Sequence, residues 1–545
     1  MTINAKWRAG ALLIAAVGLS NGVFAQEKAP ENWFNLDYGT SKVYGMGTEK
    51  AYSELLKGKT ATKVIVAVLD SGVEIDHEDL KGKIWVNTKE IAGNGKDDDG
   101  NGYTDDVNGW NFLGGKKGNV LHETLEMTRL YKELMGKYKD IKEKDVKDKK
   151  EYALWQKVSK AYDADLTEKT TQLEFIKAAV ADDKKVFDLA HKKFGAAVLT
   201  KELVSTIDDK DEELGGKTKK KLVKILTAGT ENDRVELLKK YMESAQDGIK
   251  YSLGLDNNIR QEMVGDDTNN SADRNYGNNE VEGPDASHGT HVSGIIAGNR
   301  TNNLGIKGVC ENCVIMSVRC VPDGDERDKD VANAIRYAVD NGAQVINMSF
   351  GKAFPKDKKA VDDAVAYAQK KGVLLVHAAG NENTNKDMEM NYPNPYKADK
   401  IKTSARYKNW LDIGAMTWHS DEQLAAYFSN YGKTTVDVFA PGFDIYSTVP
   451  DGKYASFNGT SMAAPCTAGA AAMLLSYFPE LTAEQLADII KKSAKKVDLE
   501  VAVPGEEGKK VKFSELSITG GTVDVYEAVK LAEKTKGKRK IAKKA

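Results

Sequence analysis

The chain has 545 residues, 41% of them hydrophobic and 29% charged, and a formal net charge of −2. Such a length allows two or more domains, and the near-neutral balance offers no broad basic surface for nucleic acid. Four cysteines in a chain this long do not demand a disulfide scaffold.

At the N-terminus Lys6 and Arg8 precede the apolar run AGALLIAAVGL, and Val23-Phe24-Ala25 precedes Gln26. A charged start, a short apolar stretch and a small-residue site read as a secretory signal over residues 1–25. The run falls short of the roughly 20 apolar residues that span a bilayer. The expectation is an exported protein, periplasmic or extracellular, with no membrane span once the signal is removed. Residues 26–118 begin the main domain. KVIVAVLDSGV is an apolar, β-branched run stopped by Ser-Gly, as a buried parallel strand should be. GNGKDDDGNGYTDD follows, and sets oxygens of Asp97, Asp99, Asn101, the Tyr103 carbonyl and Asp105 or Asp106 around glycines. Several oxygens on a flexible turn suit Ca²⁺, with a plain acidic turn as the alternative. The distal Glu and the flanking helices of an EF-hand are missing.

Residues 119–250 change character. They are rich in Lys, Glu and Asp, and no proline occurs between Pro30 and Pro284. Leu121, Leu125, Leu134, Tyr138 and Ile141, then Tyr152, Trp155, Val158 and Tyr162, recur at helical spacing. The pattern predicts a large all-α insertion of amphipathic helices, broken at Gly215-Gly216 and near Gly229. Thr230-Glu231-Asn232-Asp233 resembles a capping box. A charged helical hairpin without chemistry and an arm that gates a site or mediates oligomerisation both fit. Residues 251–283 form a polar, Asn-rich loop, and 284–534 return to the main domain ahead of a basic tail, 535–545.

In 284–534 the apolar runs CVIMSVRCV, AQVINMSFG, GVLLVHAAGN and WLDIGAM alternate with helical stretches such as KDVANAIRYAVDNG and KKAVDDAVAYAQKKG. The alternation predicts an α/β fold, a doubly wound, mainly parallel sheet with helices on both faces. Ligands of such sheets lie beyond the carboxyl ends of the strands, where Asp70 and Asn381 fall. Cys310, Cys313 and Cys320 lie in GVCENCVIMSVRC, and Cys466 lies further on. The Cys-x-x-Cys lacks the second ligand pair that zinc needs. A Cys310–Cys313 disulfide suits an exported chain, and buried thiols suit Cys320 and Cys466.

Three segments in fixed order carry the chemistry: VAVLDSGV, HGTHVSGIIAG and FNGTSMAAP. They supply Asp70, His288 and Ser461. A serine becomes a nucleophile when an imidazole takes its proton, and the imidazole needs a carboxylate to fix its tautomer. On these segments the chain resembles the subtilisin-like serine proteases (subtilases), whose triad runs Asp…His…Ser. The resemblance covers about Trp33–Gly115 and Pro284–Glu533. Asp70 and His288 stand 218 positions apart, where the family has a few tens, which sets the helical insertion apart. Gln26–Thr60 reads mostly as the start of the catalytic domain and not as a separate inhibitory segment.

The resemblance implies roles residue by residue. Asn381 would donate to an oxyanion, Ser349, Phe350 and Gly351 would pair with extended substrate, and Asn391 would line the base of the primary specificity pocket. The segment PDGDERDKD would rim the non-primed subsites, its acidic residues either favouring basic substrates or simply solvated. His291, the second His of HGTH, and His77 would be structural; His377 and His419 default to the same, and His122 and His191 fall in the insertion. The implied function is an exported serine endopeptidase acting on protein or peptide substrates through an acyl-enzyme. It requires no cofactor for its chemistry, with structural Ca²⁺ and pairing through the insertion as additional expectations. The alternative is a catalytically idle binding or adhesion protein that uses the insertion on the same fold.

Overall fold

In the computed structural model, residues 28–398, 401 and 404–539 are described; the expected signal segment, 1–25, and the end of the basic tail lie outside the described residues. The chain divides into two compact units, one running to Glu126 and resuming at Asn258, the other Met127–Asn257.

The first unit is built on a nine-stranded sheet. Its strands are β1 (Val64–Asp70), β2 (Gly109–Asn111), β3 (Cys313–Arg319), β4 (Val345–Met348), β5 (Leu374–Ala378), β6 (Trp410–Met416) and β7 (Val438–Pro441). A hairpin, β8 (Ile445–Val449) with β9 (Lys453–Phe457), stands apart from it, and β10 (Lys495–Lys496) with β11 (Gly521–Thr522) closes one edge. The sheet order is β10-β11-β7-β6-β5-β4-β1-β3-β2. Every pairing is parallel except β10 with β11.

Strand β1 explains why both faces are covered. Val64, Val66 and Val68 point into one apolar cluster, and Ala67 and Leu69 into a second on the opposite face. A strand buried on both sides must be apolar at every position, and that is what KVIVAVLD supplies. The longer helices between Glu126 and Asn257 are α1 (Glu126–Tyr138), α2 (Lys149–Phe194), α3 (Lys217–Ala228) and α4 (Glu231–Asp247). The first unit resumes with α5 (Ser287–Ala297), α6 (Asp328–Asp340), α7 (Lys358–Lys371), α8 (Thr460–Tyr477), α9 (Ala483–Ser493) and α10 (Val525–Lys534). Helices α5, α8, α9 and α10 contribute to the first cluster, and α6 and α7 to the second. This is the doubly wound, mainly parallel arrangement expected from the alternation of strands and helices.

The unit 127–257 is all-helical, and its longest helix, α2, has 46 residues. Leu134, Tyr138 and Trp155, with Ile141 and Tyr152 against them, form one small apolar cluster. Val186, Phe187, Ala190, Leu199, Val204, Ile207, Leu214 and Leu222 form another. Thr230 and Asp233 make the reciprocal capping box at the start of α4. Leu121 and Leu125 lie outside these helices. The segment from Leu121 to Thr124 runs extended in the first unit, with His122 bridged to Asp323.

Candidate active site

Because β1, β4 and β5 run parallel, the segments that follow them emerge on one edge of the sheet. Asp70 closes β1 with its side chain 1% exposed. Its Oδ1 accepts from the Ser71 N–H at 2.8 Å and lies 2.7 Å from His288 Nδ1. His288 stands in the first turn of α5, which approaches β1 closely: a Cβ on Gly289 would sit 2.0 Å from the Gly72 carbonyl oxygen. Only glycine permits that approach, which explains the Gly after His288. Burial pulls the His288 imidazole down, while the Asp70 charge and hydrogen bond, helped by Asp285, outweigh it and leave the pKa above 6.5.

Ser461 begins α8, a helix of small residues that is buried along its length. Pro465 has no N–H, so the Ser461 carbonyl loses its usual helical donor. The Ser349 hydroxyl takes that place and donates to Ser461 O at 2.9 Å, while Ser461 Oγ donates back to Ser349 O at 3.1 Å. Asn347 Nδ2 in turn donates to Ser349 Oγ. Ser349 thus anchors the helix turn as well as standing at the edge of β4.

Asn381, beyond β5, accepts from the Thr460 N–H at 2.8 Å and from the Thr460 hydroxyl at 3.0 Å through Oδ1. The amide nitrogen therefore faces the other way. A Cβ on Gly459 would lie 3.5 Å from both Asn381 Nδ2 and Ser461 N, so these two donors flank one small space that glycine keeps clear. His288, Asn381, Ser461, Phe457, Asn458 and Met462 line a common cleft of about 440 Å³. A carboxylate–imidazole pair, a serine hydroxyl and two convergent N–H donors on one cleft can perform nucleophilic acyl transfer.

Around the cleft, Asn391 Nδ2 donates to Ala379 O at 3.0 Å. Phe350 packs against the apolar cluster on the α6–α7 face. The acidic loop before α6 is tied down by partners distant in sequence, although Asp323 itself stays exposed. Asp323 pairs with His122, Asp325 accepts from the Glu126 N–H, and Asp328 pairs with Lys352. Glu326 is buried, which pushes its carboxyl up to about 8 although Lys352 pulls against the shift.

The acidic turn differs from its expected ligand set. Carboxylate oxygens of Asp97 and Asp99 lie within 4.8 Å of one another and of Glu90. Asp105 is not in this group; its φ of 54° turns the carboxylate onto the Asn94 and Gly95 N–H groups. Asn101 gives its amide to Asp106 and accepts from the Tyr103 N–H, and the Tyr103 ring packs on Trp110 and Tyr337. Asp106 is buried beneath Asn87, Asn101 and Tyr337, and burial raises it to about 6. Glu90 escaped notice in the sequence because a tight turn, not spacing, brings it back.

The other histidines hold structure together. His291 Nε2 reaches the Ile445 and Ala455 carbonyls and burial pulls it down to about 3, while His77 reaches the Lys453 carbonyl. His191 pairs with Glu231, and His419 stacks on Trp418. All four cysteines are free and buried. The Cys310–Cys313 disulfide is therefore not formed; Cys313 Sγ instead donates to the Cys310 carbonyl at 3.0 Å.

The subtilase family model matches residues 61–511, and the chain belongs to that family. A thermophilic serine proteinase of Bacillus sp. (strain AK1) is 42% identical over 35% of this chain and 42% of its own length. Subtilisin of Bacillus pumilus is 36% identical over 38% of this chain and 70% of its own. The matched stretch thus spans less than half of the AK1 proteinase. Among solved structures, a protease from Pseudoalteromonas arctica PAMC 21717 aligns with 47% of this chain and 74% of its own, at 27% identity and a TM-score of 0.37.

The Asp70–His288 pair gives a first test. By NMR, His288 is expected to titrate above 6.5, and below 6.5 in Asp70→Asn, where burial acts without the opposing charge. The stability drawn from the charged pair is present below about 6.5 and is lost as pH rises through the raised value. An unchanged midpoint in Asp70→Asn would show that the carboxylate does not control the imidazole.

Proposed function

We propose that this subtilase is an exported serine endopeptidase acting on protein or peptide substrates. The observation that carries the reading is the 2.7 Å Asp70–His288 contact, opening on the cleft that Ser461 and Asn381 also line. Ser461 Oγ attacks the scissile carbonyl carbon, and His288 Nε2 takes its proton. Asp70 keeps the Nδ1–H tautomer in place and stabilises the imidazolium. Asn381 Nδ2 and the Ser461 N–H hold the oxyanion. His288 then gives the proton to the leaving amine, and water, activated by the same imidazole, releases the acyl-enzyme. In the free state Ser461 Oγ rests on Ser349 O; catalytic hydrogen bonds often tighten only when substrate binds. The groups assigned to the reaction all lie outside 127–257.

Ser461→Ala is expected to fold and to lose peptidase activity. In subtilisin, where removal of the serine has been measured, the loss is about 10⁶-fold in kcat. Undiminished cleavage by the variant would overturn the mechanism. Wild-type protein without peptidase activity would favour the idle binding fold.

The same proposal includes a structural Ca²⁺ held by Glu90, Asp97 and Asp99. The three carboxylates crowd within 4.8 Å, and the nearby cation is Lys89, 3.9 Å from Asp99 with its side chain 76% exposed. A divalent ion would neutralise that charge and stiffen the turn. Ca²⁺ is expected to raise the melting temperature, by about 2.7 kcal/mol of stability at a hundredfold excess over Kd. Asp97→Ala with Asp99→Ala should remove the effect. Identical melting curves in Ca²⁺ and in chelator would overturn the assignment.

A further inference from the structure

Resting on the peptidase reading, we infer that Asp444 is a positioning residue for Ser461 and His288, and that the N-terminal segment Ala29–Trp33 holds it in place. Asp444 acts through its neighbours. It ends the short connection from β7 to β8, and that connection bonds to both catalytic turns.

On one side lies the nucleophile. The Gly442 carbonyl accepts from the Gly459 N–H at 2.8 Å, and the Asp444 N–H donates to Asn458 Oδ1 at 2.6 Å. Asn458 and Gly459 lead directly into Thr460 and Ser461, and Asn458 lines the cleft beside His288 and Ser461. On the other side lies the helix of the imidazole. The Ile445 carbonyl is 2.9 Å from His291 Nε2, and the Ser447 and Thr448 hydroxyls donate to the His291 and Thr290 carbonyls. Thr290 and His291 stand within one turn of His288 on α5. A shift of this connection is therefore passed to both reacting side chains.

The N-terminal segment closes on Asp444 from 415 positions away in sequence. The Ala29 N–H donates to Asp444 Oδ2 at 3.0 Å, and the Trp33 indole N–H reaches the Asp444 carbonyl at 3.4 Å. Packing backs these bonds: Trp33 and Phe34 are each 2% exposed, in the same apolar cluster as Ile445 and much of α8. Asp444 itself has a φ of 51°, the left-handed region that glycine, Asn and Asp adopt most readily. Glycine would satisfy the turn alone. An aspartate adds a charged acceptor, which strengthens the bond to the Ala29 N–H. That extra bond ties the backbone between the two catalytic turns to a buried anchor, and preorganised donors depend on such support.

The test compares Asp444→Asn with Asp444→Gly. Both fit the left-handed turn, and only the Asn variant keeps an acceptor for Ala29. Each protein is titrated to completion with a fluorophosphonate, and kcat and KM toward one peptide are expressed per titrated site. Asp444→Gly should lose about tenfold or more in kcat, as small misplacements of reacting groups do, with KM within about twofold of wild type. Asp444→Asn should keep most of the wild-type kcat. Trp33→Phe, which retains a ring and drops the indole N–H, should lower kcat in the same direction and carries the test if Asp444→Gly does not fold. Wild-type kcat per titrated site in Asp444→Gly overturns the inference even where its melting temperature falls, because the contact would then serve stability alone. Equal losses in the Asn and Gly variants overturn it as well. A wild-type chain that neither takes up the fluorophosphonate nor cleaves unfolded casein overturns the peptidase reading, and the inference with it.

Discussion

The site depends on one close approach, the first turn of α5 lying against the end of β1. With no Cβ at Gly289, the helix comes near enough for His288 Nδ1 to meet the buried Asp70 carboxylate at 2.7 Å. Gly72 is equally constrained, since a Cβ there would strike the Glu282 carbonyl oxygen at 1.8 Å. Arg319, paired in register with Asp70, donates from Nε to the Ser71 carbonyl at 2.7 Å and reaches Asn111 and Val120 with its other nitrogens. It is buried and makes no ion pair among the described residues, and burial pulls it down to about 10 against the opposing charges of Glu280 and Asp285. A cation kept there on carbonyl and amide oxygens fixes the turn after Asp70, which limits how the carboxylate can move.

A second constraint acts at the nucleophile. Pro465 frees the Ser461 carbonyl, and the hydroxyl of Ser349 occupies it. Strand β4 and helix α8 are thereby tied at the point where substrate backbone and serine would meet. Thr460 orients Asn381 from the same turn. Each reacting group is thus held by a neighbour on a different element, as preorganised donors require.

The strands and the Asp, His and Ser segments were legible because each is local: an apolar run of one element length, or a motif confined to a single turn. What escaped was set by contacts distant in sequence. Glu90 joins Asp97 and Asp99 only through the fold of the turn, and Asp105 leaves them because its left-handed backbone faces Asn94 and Gly95. The ion pairs and hydrogen bonds of the acidic loop were not legible because its partners, His122, Glu126 and Lys352, are far away in the chain. The compact helical unit begins at Met127; Leu121 continues the helical spacing in sequence, yet its carbonyl accepts from the Asp323 N–H in the first unit, a contact that spacing does not reveal.

The central claim is that Ser461 is a nucleophile activated by His288, and covalent trapping tests it most directly. Wild-type protein and His288→Ala would be treated with a fluorophosphonate and mapped by peptide mass spectrometry. The account predicts a single adduct on Ser461 in the wild type, forming faster as pH rises through the raised His288 pKa, and almost none in the variant. An adduct on another residue, or equal labelling of Ser461 without His288, would contradict it.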